Sequence, residues 1–325
     1  MLYSFTQLLD KVNAHIESLD YVHEPMHLYE PVKYILSLGG KRIRPVMMLM
    51  AYNMYNDDLE KILDPALALE IYHNFTLLHD DLMDNADVRR GKPTVHKRWD
   101  ANTAILSGDV MLSLADVYMS RVDDVFLREV MTTFHRTSVE IAEGQQYDMD
   151  FETRSDVTEE EYIEMIRLKT SVLLACALKI GAILGGASKA DAAHLYRLGE
   201  CIGLAFQLRD DYLDVYGDPS VFGKKIGGDI LCNKKTYLYI NALRLADKEQ
   251  RAVLDYWASA TDIKDDEKIA AVTDVYNKVG LPEMSRAIEE HYYSLAMVEL
   301  ESLGVCDEKK QVLREFLATL MERDV

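Results

Sequence analysis

Proline is scarce in this chain of 325 residues, with seven in all and none between Pro93 and Pro219. So long a stretch without the residue that removes a backbone donor and clashes with the preceding turn favours long helices. Alternating runs of Val, Ile and Thr between tight turns are lacking too, whereas Leu, Ala, Met, Glu and Asp abound. Both features exclude a sheet-based fold and predict an all-α one. Cysteine is sparse: Cys176, Cys201, Cys232 and Cys306 form no CxxC pair. They are read as buried thiols in a reducing compartment, the cytoplasm, and not as a disulfide framework. Basic charge is in deficit, with 36 Lys and Arg against 55 Asp and Glu and a net charge of -19. That excludes nucleic-acid binding or an anionic-membrane anchor through a general basic surface, so an anionic ligand needs a local cluster of cations. No charged-then-apolar signal opens the chain. The apolar run Val172 to Gly186 is interrupted by Lys179 and is shorter than a bilayer span, so no membrane span is expected.

What is present is 49% hydrophobic residues, enough for one large core or two ordinary ones. No low-complexity linker divides the chain, and a single domain over 1–325 is expected. Leu2, Phe5, Leu8, Leu9, Val12 and Ile16 line one face of an amphipathic helix over 2–19. A Pro-containing connection leads to Tyr34–Leu38, the loop 39–45 and the apolar stretch 46–55. Asp64-Pro65 predicts a helix start, because Asp caps free amides and Pro at the first position needs no donor; that helix should reach about Asp84. Further helices are expected at 101–121, 124–150, 158–184, 189–215, 235–258, 264–279, 283–303 and 307–322, with loops at 85–93, 152–156 and 217–233.

The pattern DDxxD occurs twice, at Asp80-Asp81-Leu82-Met83-Asp84 and at Asp210-Asp211-Tyr212-Leu213-Asp214. On a helix the first and last aspartates lie on one face with Cβ atoms about 5–6 Å apart, so they can share metal ions. Hard oxygen donors that leave coordination positions to water and phosphate suit Mg2+. The middle aspartate points roughly 100° away and suits orienting work. A lone DDxxD is commonly a solvated acidic helix end, but here both copies follow strongly apolar helical sequence. Like charges at i and i+4 destabilise a helix unless cations neutralise them. Basic residues cluster as a diphosphate requires: Lys41, Arg42 and Arg44; Arg89 and Arg90; Lys169; Lys224 and Lys225; Lys234 and Lys235. Arginine forks grip phosphate oxygens, while lysine acts as a point charge. Gly39 and Gly40 beside the first cluster let backbone approach an anion. His73 lies two helical turns before Asp80 and is a candidate donor to a second diphosphate. Gln207, about one turn before Asp210, brings a neutral amide whose carbonyl can face a developing cation.

GGKRIRP at 39–45, LLHDDLMDNADVRRGKPTVH at 77–96, GQxxD at 144–148, Lys169-Thr170, FQLRDDYLD at 206–214 and FGKKIGGDILCNKKT at 222–236 together resemble the trans-prenyltransferases, or polyprenyl diphosphate synthases. The motifs arrive in family order across residues 39 to 236, and the C-terminal 85 residues carry none. The resemblance implies a homodimer of helical subunits, each around a deep central cavity. It implies isopentenyl diphosphate and the allylic dimethylallyl, geranyl and farnesyl diphosphates as substrates. Asp80, Asp84 and Asp210 would hold three Mg2+ ions on the allylic diphosphate, supported by Asp81, Asp211 and Asp214. Arg89, Lys169, Lys234 and Lys224, or its neighbour Lys225, would grip the same group. Lys41, Arg44, His73 and Arg90 would bind isopentenyl diphosphate without metal. The Lys169 carbonyl, Thr170 and Gln207 would stabilise the allylic cation.

Product length should depend on bulk along the helix before Asp80. Phe75 lies about 7.5 Å and Tyr72 about 12 Å down the axis. In the family an aromatic five residues before the motif accompanies short products, which favours C15 to C20, although a helical wheel sets Thr76 closer to the carboxylate face. The first motif lacks the two-residue insertion of the usual bacterial farnesyl synthases, and Thr76 is not a second aromatic as in animal-type ones. This tilts the expectation to geranylgeranyl over farnesyl diphosphate. A class I terpene cyclase needs no GGKRxRP loop and usually has an Asn-Ser-Glu second motif. A non-catalytic regulatory subunit typically loses aspartates, and all six are intact here.

Overall fold

Short side-chain caps start several of the helices. In the computed structural model, which describes residues 2–19, 23–218, 226–260 and 264–321, Ser4 opens α1 (Phe5–Glu17) with a capping box to Gln7. Two amides that lack a helical partner are thereby satisfied. There follow α2 (Met26–Ser37), α3 (Ile43–Asn53), α4 (Leu63–Met83), the hairpin strands β1 (Val88–Arg89) and β2 (Lys92–Pro93), α5 (Val95–Arg98), α6 (Ala101–Met119) and α7 (Asp124–Thr153). Then come α8 (Glu159–Ile166), a π turn at Arg167–Ser171, α9 (Val172–Gly185), α10 (Lys189–Tyr216), α11 (Gly228–Leu231), α12 (Tyr237–Leu245), α13 (Lys248–Ser259), α14 (Asp265–Lys278), α15 (Leu281–Glu301) and α16 (Asp307–Met321). Among the described residues the fold is helical apart from that hairpin, as the sequence predicts.

Two compact units are formed from interleaved segments: Met1–His135, Cys176–Ala193 and Gly304–Leu313 in one; Arg136–Ala175, His194–Leu303 and Arg314–Val325 in the other. In the first unit α4 lies along α6, whose buried stripe is Ala104, Ser107, Gly108, Met111, Ala115 and Met119. Four of those six are small, so the two helices approach closely and α4 buries Ala66 through Tyr72 without a break. Each fully buried Leu or Ile contributes about 1.5–3 kcal/mol. Arg42 and Glu70 form a buried ion pair at 2.6 Å, and Arg42 also donates to the Leu36 carbonyl at 2.7 Å, tying α2, α3 and α4 together. The second unit has a core of Phe151, Tyr162, Ile166, Leu204, Leu208 and Tyr237 among others. There Gly144 of α7 and Gly203 of α10 let the backbone of the π turn come close: a Cβ would lie 2.4 Å from the Lys169 nitrogen and 2.5 Å from the Ser171 Cα respectively.

Several boundaries differ from those the sequence predicts. The Pro-containing connection before Tyr34 is helical from Met26, with Pro31 buried inside α2; tertiary burial outweighs the missing donor. Asp64 is not the cap of α4 but sits in its first turn, bonded to His15 at 2.8 Å and Arg121 at 3.2 Å. The helix expected over 235–258 breaks at Ala246, because Asp247 and Gln250 form a capping box that starts α13. Only Cys176 of the four cysteines is buried; Cys201 is half-buried, Cys232 and Cys306 are exposed, and all are free. Residues Glu159–Gly185 make one helical stretch apolar and long enough by composition to cross a membrane. In its most apolar window 72% is buried inside the protein, so that apolarity serves the core.

Candidate active site

The first acidic motif ends α4. Asp84 is its C-cap, with the amide bonded to the Asp80 carbonyl, and Asn85 then turns left-handed at φ 51°. Three carboxylates thus sit at the negative end of the helix dipole, where anions are unfavourable unless cations meet them. Asp81 is buried and accepts from Arg89 Nε at 2.7 Å. Asp80 is half-buried and Asp84 exposed. Arg89 is held by the β1–β2 hairpin, whose two-residue turn is Arg90-Gly91 with φ 52° and 74°, a conformation that matches strand twist. The Thr94 hydroxyl donates to the Ala86 carbonyl at 2.7 Å and closes this loop. Arg90 donates to the Gly39 carbonyl, and the next residue, Gly40, has φ 140°, a conformation side-chain-bearing residues rarely adopt.

Arg44 and His73 meet at 3.1 Å, Nη1 to Nε2. Arginine has only donors, so His73 Nε2 accepts and its proton rests on Nδ1. Burial, then the charges of Arg44, Arg90, Arg89 and Arg42, hold the His73 pKa well below the ordinary value. Burial lowers Arg44 to about 10, still a cation at neutral pH. A neutral histidine amid arginines offers donors that can hold an anion without a metal. Lys41 is exposed at its edge in sequence. Arg42 does not belong to this cluster, because Glu70 claims it.

Along the same helix His79, Phe75 and Tyr72 form a ladder: His79 and Phe75 edge-on at 4.8 Å, Phe75 and Tyr72 tilted at 5.5 Å, and Tyr72 edge-on to Phe134 at 5.3 Å. Tyr72 is buried and Phe75 half-buried. The Thr76 hydroxyl turns back to the His73 carbonyl at 2.8 Å.

In the second unit Asp211 is buried and accepts from the Tyr162 hydroxyl and, at 3.1 Å, from Gln207 Nε2. The Gln207 carbonyl therefore faces Thr170, whose hydroxyl donates to it at 3.1 Å. Burial, then Asp229, pushes the Asp211 carboxyl up to about 7, with Lys234, Tyr162 and Gln207 opposing. Asp210 is half-buried. Asp214 accepts from the Asp229 amide at 2.9 Å and so caps the start of α11. Lys169 and Thr170 lie in the π turn, a widened helical turn of the kind often found at functional sites. Lys169 Nζ bonds Asp148 at 2.6 Å. Lys234 is exposed, its amide bonded to the Asp229 carbonyl at 2.9 Å. Lys224 and Lys225 lie outside the described residues.

Among the described residues no three or more His, Cys, Asp or Glu side chains gather into a metal cage. Within each motif the outer aspartates offer partly or fully exposed carboxylate oxygens, hard donors that would suit Mg2+ taking its remaining ligands from water and substrate. Tyr162 was invisible in the sequence, where it reads as one more apolar position of α8. Glu70 likewise carries no local signal of its burial beyond its place within an apolar helical run.

An all-helical protein with two aspartate-rich motifs and a separate arginine–histidine anion site is a prenyl-transfer type of enzyme. The polyprenyl synthetase family model matches residues 25–278, and the chain belongs to that family, whose members are trans-prenyltransferases. It is 39% identical over 305 residues to a geranylgeranyl diphosphate synthase from Methanosarcina mazei, covering 93% of this chain and 92% of that one. A geranylfarnesyl diphosphate synthase from Natronomonas pharaonis is 35% identical over 93% of this chain and 92% of its own. A crystal structure of a geranylgeranyl pyrophosphate synthase superposes with a TM-score of 0.91 at 43% identity, over 98% of each chain. These place it among short-chain prenyl diphosphate synthases.

Proposed function

We propose that this enzyme adds isopentenyl diphosphate head to tail to dimethylallyl, geranyl and farnesyl diphosphates and releases mainly geranylgeranyl diphosphate, C20. The observation that carries the reading is the neutral His73 bonded by Arg44 amid further arginines. The pair, on α3 and on the helix that bears Asp80, can hold an anion without metal, which a terpene cyclase has no use for. Arg44, His73, Lys41 and Arg90 would orient isopentenyl diphosphate; Arg89, Lys169, Lys234 and Lys224 would hold the allylic diphosphate. Mg2+, held by Asp80, Asp84 and Asp210, would supply the charge neutralisation that lets diphosphate leave. Thr170 and Gln207 present a polar pair to the cationic carbon, and holding both substrates replaces an improbable encounter of two polyanions. Attack of the isopentenyl alkene on C1 leaves a cation on the isopentenyl unit; its C2 proton passes to the departed diphosphate, and the C–H electron pair restores a double bond. The whole chain would act as one catalytic domain, in the cytoplasm, as a homodimer.

The Phe75–Tyr72 stack supports a C20 limit, because two aromatic rings packed on each other resist displacement by a growing chain. Product mass from purified protein with Mg2+, isopentenyl diphosphate and each allylic primer tests the reaction. Phe75→Ala is expected to shift the main product at least one C5 unit upward, and an unchanged distribution would sink the assignment of Phe75.

A further inference from the structure

Lys268 of α14 lies in the part of the chain that carries no motif, yet it is 2% exposed. Burying an ammonium is costly unless its protons are taken up, and a Met of similar length would fill the space without that cost. The Lys268 Nζ donates to the Leu231 carbonyl at 3.1 Å and to Asn233 Oδ1 at 2.8 Å. Leu231 ends α11, where a cation satisfies a carbonyl left without a helical partner. Asn233 stands in the left-handed region at φ 54°, and its amide group is anchored a second time, to the Ala258 carbonyl at 3.1 Å. The next residue is Lys234.

The neighbouring Ile269 holds the other end of the same segment. It packs on Gly227, at φ +82°, where a Cβ would lie 2.7 Å from it. Gly227 and Asp229 are in turn bonded through their amides to the Asp214 carbonyl and carboxylate. Two adjacent residues of α14 thus grip residues 227 and 233, and the span between is tied to the second acidic motif. The direction in which Lys234 leaves the backbone is set by this grip, not by α11 alone.

We propose that Lys268 is a positioning residue for the allylic diphosphate, acting through Asn233 on Lys234. The inference rests on the prenyl-transfer reading above, in which Lys234 meets that diphosphate. Steady-state kinetics of Lys268→Met, Lys234→Ala and the double variant, with geranyl and isopentenyl diphosphates varied separately, test it. Each single variant is expected to raise the KM for geranyl diphosphate about tenfold while that for isopentenyl diphosphate stays within about twofold. The double variant should be no worse than the weaker single by more than about twofold, because the two changes remove one interaction. A Lys268→Met protein that melts lower with both KM values unchanged, or effects that multiply, overturns the inference alone and leaves Lys234 in place. An unchanged geranyl KM in Lys234→Ala overturns it together with the assignment of Lys234, and a wild type without turnover overturns the reading beneath both. Should Lys268→Met fail to fold, Asn233→Gly keeps the left-handed backbone, removes the acceptor and must show the same split.

Discussion

Asp81 and Asp211 hold the middle position of the two acidic motifs and are buried alike, at 3% and 4% exposure. Asp81 is met by a guanidinium at 2.7 Å; Asp211 is met by the Tyr162 hydroxyl and the Gln207 amide. The first arrangement is an ion pair. In the second, uncharged donors hold a carboxyl that burial pushes up to about 7. The last aspartates diverge as well: Asp84 caps and leaves a helix exposed, while Asp214 caps the next one. One five-residue pattern therefore supports two electrostatic designs, and the neighbours, not the letters, decide which carboxylates remain available to a ligand.

The comparison is broken most directly at the outer aspartates. If both motifs serve one departing diphosphate, Asp80→Asn and Asp210→Asn should each lower kcat/KM at least about 10³-fold, near 4 kcal/mol of transition-state stabilisation. An Asp210→Asn enzyme that kept a tenth of wild-type activity would end their equivalence. The middle positions should then differ in stability. Arg89→Met leaves Asp81 charged and buried without its partner, and urea unfolding in the absence of divalent ions should show a loss of about 3 kcal/mol.

A pH series sharpens the contrast, since the first motif's unit also contains the depressed His73. Folded His73 refuses a proton that the unfolded chain takes up near pH 6.5, so its contribution is present above that pH and is lost as pH falls below it. Between pH 7 and pH 5 wild type should lose about 2 kcal/mol more than His73→Asn; parallel curves would mean that His73 protonates freely. Smallest of all, Tyr162→Phe removes one neutral donor from Asp211 and should cost about 1 kcal/mol. A cost equal to that of Arg89→Met would erase the distinction between the two designs.

Much of this was legible in the residues. Long helices followed from the missing prolines, and both motifs lie at or near the ends of helices, where apolar periodicity put them. The Arg44–His73 contact joins α3 to α4, two elements whose residues are distant in sequence, and only the motif grouping hinted at it. Three features had no local signal. The π turn at Lys169-Thr170 packs closely on Gly144 and Gly203, where a Cβ would collide with its backbone, and neither glycine announces its partner. Arg42 reads as one cation of a basic loop until Glu70, a helix away, takes it. The break at Ala246 was readable from Asp247 and Gln250, a capping pair overshadowed by the apolar run around it.

The sequence by itself determined the helical class, the family and which side chains carry charge, because composition, periodicity and short motifs are local properties. Tertiary structure decided which of those charges are spent on the fold and which are left to a ligand. Arg42 and Lys268 are buried against partners as far as 28 and 37 residues away, Asp211 is made weakly acidic by what covers it, and His73 is kept neutral by its burial and by the arginines around it. Burial and distance between groups far apart in the chain set those outcomes, and no local pattern encodes either.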